Sequence, residues 1–288
     1  MPSTKSFSAR SRHAAVVTSL SALALLPSKA GAAEPFDNEP GAASPQEANV
    51  DQRRYGPIRQ KLADWNVMVA GGAMYAPKYE GSDEFEVVPI PMVSATIGRF
   101  TISPGGIDVD VWESSGFKVT VKGGYDLGGG RKEKDSIHLK GLGDIKGGAL
   151  LGAQISYETG PLEFYASVDK TFGGSDGLQA VVGANISHNY NNFLFAAGAS
   201  ATFADDKYMQ TYFGVTALQS ARSGLSRYEA GAGLKRFDIE GSVTYMATEN
   251  WLVRGQVGVG FLTGDAKNSP ITRKDTQPSG MLLVGYRF

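Results

Sequence analysis

From Trp65 to Phe288 the hydrophobic positions recur at every second residue. In 251–261, Trp251, Val253, Gly255, Val257, Val259 and Phe261 fall on one face, and Arg254, Gln256, Gly258 and Gly260 on the other. The same split recurs at 117–125, where Phe117, Val119, Val121 and Tyr125 oppose Lys118, Thr120 and Lys122. It recurs again at 237–247, where Phe237, Ile239, Val243 and Tyr245 oppose Asp238, Glu240, Ser242 and Thr244. Such alternation sets one face of a strand against an apolar medium and the other against a polar one. The segments run about 9–12 residues, the length a tilted strand needs to cross a bilayer, whereas strands in soluble sheets run about 5–6. Aromatic residues such as Trp65, Tyr125, Phe172, Tyr190, Trp251 and Phe261 stand at segment ends, as in the interfacial girdles of outer-membrane barrels.

Twelve strands are predicted, at 65–76, 87–98, 103–112, 116–126, 147–158, 161–172, 177–190, 192–203, 207–217, 236–247, 250–262 and 280–288. An even number returns both ends of the sheet to the periplasm. Thr248-Glu249 and Ala204-Asp205-Asp206 then read as periplasmic turns, and 218–235 and 263–279 as outward loops, with 76–86 a third outward segment. This count puts the long polar stretch 127–146 on the periplasmic side, unless one strand upstream of it is miscounted. The fold class is therefore all-β: a transmembrane antiparallel barrel of the outer-membrane type with about twelve strands.

The 64 residues before the barrel read differently. Lys5, Arg10 and Arg12 precede an apolar run, Ala14–Leu26, that is too short to span a bilayer but has the length of a signal-peptide core. Ala30-Gly31-Ala32 supplies small residues for cleavage, so residues 1–32 are expected to be removed after Ala32 or Ala33. Residues 33–64 are rich in Pro, Ala and polar residues and are expected to form a disordered periplasmic arm. Arg53, Arg54, Arg59 and Lys61 lie close together in it: a solvated linker on composition, or a contact for an anionic partner.

Composition narrows the chemistry. Removing residues 1–32 takes away four bases and no acids, leaving 24 bases against 29 acids. That balance gives no footprint for nucleic acid. There is no cysteine, so disulfides, Cys-zinc sites and a lipoprotein anchor are excluded. His138 and His188 sit in no motif with a serine, and Asp83-Glu84 and Asp205-Asp206 read as solvated turns. Gly128-Gly129-Gly130 before Arg131 and Lys132 lacks the strand–loop–helix setting of a phosphate cradle. No catalytic residue, cofactor or metal is expected. Charges predicted on the inward face carry both signs: Lys118, Lys122, Asp126, Glu163, Asp169, Asp238, Glu240, Arg254 and Arg287. A narrow channel for small solutes is thus the alternative to an interaction role, but no single-sign ring is present to select an ion. The chain's end, with Tyr286 and Phe288 on one face, fits the signal read by the barrel-assembly machinery.

Six blocks carry a family resemblance: PKYEGSDEFEVVPIPMV (77–93), LKGLGDI (139–145), DDKYMQTYFGV (205–215), GLSRYEAGAGLKRF (224–237), GDAKNSPI (264–271) and VGYRF (284–288). With these the chain resembles the MipA/OmpV family of MltA-interacting outer-membrane proteins. The resemblance implies a multi-pass barrel in the outer membrane of a Gram-negative bacterium, in contact with its lipid. It also implies a non-enzymatic scaffold role, in which a lytic transglycosylase and a murein synthase would be the partners.

Overall fold

The computed structural model describes residues 65–126 and 130–288. The expected signal peptide with Ala32 and Ala33, the arm with Arg53, Arg54, Arg59 and Lys61, and residues 127–129 lie outside the described residues.

Twelve antiparallel strands close into a barrel: β1 Trp65–Pro77, β2 Phe85–Ile97, β3 Phe100–Ser103, β4 Gly106–Ser114, β5 Phe117–Tyr125, β6 Ala149–Thr159, β7 Leu162–Phe172, β8 Leu178–Tyr190, β9 Phe193–Ala204, β10 Gly233–Met246, β11 Trp251–Leu262 and β12 Thr276–Arg287. Each strand neighbours its predecessor in sequence. β12 returns to β1, with Arg287 opposite Met68 and Gly280 opposite Tyr75. Closure leaves no free sheet edge at either end of the strand order, which a lipid environment demands because it offers no hydrogen bonds to unpaired backbone.

Alternation decides what faces lipid. Val257 is 68% exposed, Leu282 58% and Leu151 54%, while Leu283, next to Leu282 on the opposite face, is 5% exposed. An apolar belt running around a whole barrel far exceeds any patch a soluble monomer exposes. Rings border it at both ends. Phe117 packs on Tyr157, Phe193 on Tyr245, and Trp251 on Tyr286 at one rim. At the other, Tyr75 stacks on Phe85.

The two rims differ in their connections. Gly98-Arg99, Ser115-Gly116, Gly160-Pro161, Asn191-Asn192 and 247–250 are short turns at the rim that also holds the start of β1 and the end of β12. Ser115 and Gly116 both take positive φ, the backbone that a two-residue turn needs to match strand twist. The segments 78–84, 126–148, 173–177, 205–232 and 263–275 lie at the opposite rim. Short turns mark the periplasmic rim and long loops the outward rim.

Two of the predicted strands are corrected. Residues 207–217 are not a strand: 206–213 form helix α1 (Asp206–Phe213), followed by α2 (Ala217–Ser223). Tyr208, Met209, Tyr212 and Phe213 recur at helical spacing and pack on one side, and Asp205 caps the start by accepting from the Tyr208 N–H at 2.8 Å. The stretch 103–112 is not one strand but the hairpin β3–β4, turned at Pro104-Gly105. Gly106 has φ +136°, and a Cβ on it would sit 2.2 Å from the Gly123 carbonyl oxygen, so only glycine fits. One strand lost and one gained keeps the count at twelve but reverses the sense of every strand between them. The segment 127–146 therefore lies at the outward rim, and Ala204-Asp205-Asp206 is not a periplasmic turn but the entry to α1.

The brevity of β3 leaves a mark on the wall. It pairs with β2 only at 95–97, so among the described residues Phe85–Ser94 has no ladder partner on that side. Ile97 and Phe100 flank a two-residue turn and exchange hydrogen bonds, so odd-numbered N–H groups of β2 point toward β3. Pro89 and Pro91 are odd-numbered and have no N–H to offer along that open edge.

Candidate functional site

The long loops do not wave in solvent; they pack on one another. A third helix, α3 (Gly264–Asn268), lies beside α1. Tyr208, Met209 and Phe213 of α1 are buried with Ala204, Ala230, Leu262 and Ala266. A second cluster joins Tyr79, Leu139, Leu142, Val215 and Ile271. Its members come from four different loops, after β1, β5, β9 and β11. Loops that leave the rim at such separate points can meet only across the mouth, so together they form a cap. Backbone acceptors seal the joints. Ser269 Oγ donates to the Phe213 carbonyl at 2.6 Å, Gln219 Nε2 to that of Leu142 at 2.6 Å, and the Arg273 N–H to that of Gly81 at 2.7 Å.

An ionic centre lies beneath. Glu80, in the loop after β1, sits 3.1 Å from Lys235 Nζ and 3.2 Å from Arg236 Nη1. Lys235 Nζ also donates to Gln179 Oε1 at 2.9 Å and to the Tyr208 hydroxyl at 3.3 Å, and lies over the Tyr208 ring. Arg236 is paired on its other side with Asp238. Two consecutive residues of a strand normally point to opposite faces, yet Lys235 and Arg236 are both buried on the same side. A β-bulge between Leu234 and Arg236 in the β9–β10 ladder inserts Lys235 as an extra residue and turns it inward. Burial alone would raise the Glu80 carboxyl; Lys235 and Arg236 outweigh it and hold the group below the usual carboxylate range. Burial pushes the Tyr208 phenol well up, so it stays a neutral donor.

A further buried base has a different setting. Arg131 is 5% exposed and donates from Nη1 to the Tyr212 carbonyl at 2.6 Å. Its burial lowers its pKa to about 10. Burial raises the phenol of Tyr79, which feels the Arg131 charge, to about 12.

The predicted inward charges are distributed along the barrel. Lys122 and Asp169 form an ion pair at 2.9 Å across the intervening strand. The residue between them is Gly152, where a Cβ would lie 2.0 Å from Asp169 Oδ1. Glu163 accepts from Asn185 Nδ2 at 2.9 Å. Glu240 accepts from Gln256 Nε2 at 2.9 Å, and Gln256 Oε1 accepts from Arg254 Nη2 at 3.2 Å. Lys118 lies opposite Glu113 on β4 and Ser156 on β6. Asp126 stands at the outward rim, its N–H donating to the Gly148 carbonyl at 2.8 Å. Arg287 stands at the other rim, where Nη2 donates to the Glu249 carbonyl at 3.3 Å. Tyr286 meets Trp251 and Phe288 edge-on, and the Phe288 N–H donates to the Val67 carbonyl at 2.9 Å. Of these inward charges only Asp238 belongs to the ionic centre. Glu80, Lys235 and Arg236 were not singled out from sequence, and Arg131 entered there only beside a glycine run set aside as a phosphate cradle. Glu80 lies in the YEGSD block and Lys235-Arg236 in the GLKRF block, so the family blocks were the signal that held them.

Among the described residues no group of three or more His, Asp or Glu side chains is placed to hold a metal ion.

Among curated proteins none matches the chain. Of solved structures, it is similar to the NanC porin at 11% identity and a TM-score of 0.39, over 77% of this chain and 100% of that one. It is similar to OprB of Pseudomonas putida at 10% identity and a TM-score of 0.37, over 81% and 97%. The family model described as MltA-interacting protein MipA matches residues 69–288, which takes in the barrel from within β1 onward and all four cap-forming loops, and the chain therefore belongs to the MipA family.

Proposed function

We propose that the protein is a non-enzymatic scaffold of the outer membrane that holds murein enzymes on its periplasmic side, a lytic transglycosylase first and a murein synthase with it. The family description, an MltA-interacting protein, motivates the class of partner. The observation that carries the reading is the asymmetry of the two rims. The periplasmic rim carries turns of two to four residues, too short to build a binding surface by themselves. β1 begins at that rim with Trp65, and the basic cluster upstream of it in sequence, Arg53, Arg54, Arg59 and Lys61, would give a contact that the turns do not. The mixed-sign inward charges, with Lys122 paired to Asp169, and the cap above them fit a mount better than an open pore.

The test is capture of a purified lytic transglycosylase by the full-length protein in detergent and by a variant lacking residues 34–61. Loss of capture with an unchanged heat-modifiable barrel supports the reading. Undiminished capture by the variant removes the arm from it, and no capture by either protein overturns it.

A further inference from the structure

The bases at the centre of the cap are matched by acids, except one. Lys235 and Arg236 share Glu80, and Arg236 has Asp238 as well. Arg131 is buried to a similar degree, yet no described carboxylate forms an ion pair with it. One of its nitrogens, Nη1, is used on the Tyr212 carbonyl. Nε and Nη2 are buried and have no hydrogen-bond partner among the described residues. Buried donors are almost always paired, and a buried charge left alone is more costly still.

The identity of the two free donors sets the chemistry. Nε–H and Nη2–H point the same way from one edge of the planar guanidinium. That edge takes two oxygens of one carboxylate or phosphate in parallel hydrogen bonds. Residues 131 and 145 are tied by the Ile145 N–H donating to the Arg131 carbonyl at 2.7 Å, so the loop holds the side chain from its own base. Tyr212, Tyr79 and the Asp135 carboxylate act on the charge from nearby, but none of them forms an ion pair with it. Even with its pKa lowered to about 10, Arg131 remains a cation at neutral pH.

We propose that the Nε–Nη2 edge of Arg131 is a binding site for a small free oxyanion, of the carboxylate or inorganic phosphate class, enclosed within the outward cap. The enclosure argues for a free solute over a lipid headgroup: a side chain only 5% exposed leaves no path for an attached acyl tail. The occupant would tie the loop after β5 to α1, whose Tyr212 carbonyl already holds the other side of the guanidinium. The site stands apart from the periplasmic scaffold role and would operate whether or not a murein enzyme is bound.

The test uses the whole protein in detergent, with acetate or inorganic phosphate titrated against chloride at matched ionic strength. The readout is the rate at which trypsin cuts the cap, which exposes Arg222 and Arg227. Saturable slowing by acetate or phosphate, absent with chloride, is the expected result. Arg131→Gln should abolish the slowing. Arg131→Lys keeps the charge without the fork and should weaken it, which separates bidentate recognition from simple charge attraction. Equal behaviour in all three salts for the unsubstituted protein overturns the proposal without reference to any variant. Slowing that survives intact in Arg131→Gln overturns it as well.

Discussion

Glu80 and Lys235 are 155 positions apart in sequence, and their charged groups meet 3.1 Å apart beneath the cap. The pair ties the loop leaving β1 to a bulged residue of β10, three strands around the barrel. Removing one partner of a buried pair leaves the other charge uncompensated, at about 3–5 kcal/mol. Lys235 keeps Gln179 and Tyr208, and Arg236 keeps Asp238, so the lower end of that range applies. Glu80→Gln should make the cap susceptible to trypsin at neutral pH while the barrel stays folded by heat-modifiable migration. Equal cleavage of variant and parent would mean that the cap does not depend on this pair.

The same carboxyl sets a pH dependence. Its folded pKa is depressed, so its contribution is present above the usual carboxylate range and lost as pH falls through the folded value. Pepsin cleavage of the cap should therefore rise on acidification below about pH 4. In Glu80→Gln the cap should be open throughout and this step absent.

Conductance follows from the cap and the mixed signs of the inward charges. The unsubstituted protein should show weak conductance or none in planar bilayers. Replacing 206–229 with a short Gly-Ser linker removes α1 and α2 and should raise the step size several-fold. Large stable steps from the unsubstituted protein would show that the mouth is open.

Gly152 gives a prediction with an internal control. Gly152→Val puts a side chain where Lys122 and Asp169 meet and should cost about 1–3 kcal/mol in urea unfolding from vesicles. Gly241→Ala meets nothing nearer than 3.9 Å and should change stability by less than about 0.5 kcal/mol.

Pro89 and Pro91 withhold donors from the open upper edge of β2. Changing both to Thr restores two N–H groups along a strand that β3 does not cover. The crosslinked dimer fraction in detergent should rise above that of the unsubstituted protein; an unchanged fraction would show that the edge is covered in another way.

The barrel itself was legible because a bilayer imposes a period of two on strand after strand, as in 251–261. The errors fell where that rule stops. DDKYMQTYF is short, aromatic and next to a turn, so it passes for a strand, and only its 3.6-residue spacing of Tyr208, Met209, Tyr212 and Phe213 betrays α1. SPGG at 103–106 carries a turn signal, but it was merged with the flanking apolar residues into one strand. The ionic centre was beyond local reading. A bulge reverses the face of Lys235 without leaving a pattern in the sequence, and Glu80 finds its partners across most of the chain. The predicted inward charges came from alternation alone, and alternation says nothing about which loops fold back over the mouth.

The distance between Glu80 and its partners also sets an order of events. The loop after β1 is made and exported early, yet its carboxylate has nothing to bind until β10 is in the sheet, and Ile271 joins Tyr79 only after β11 has crossed. A molecule stalled partway through insertion has loops but no cap. The outward surface of the finished protein is therefore a mark of completed assembly. Any antibody or phage protein that recognises the packed cap will read only those molecules in which β10 and β11 are already in place.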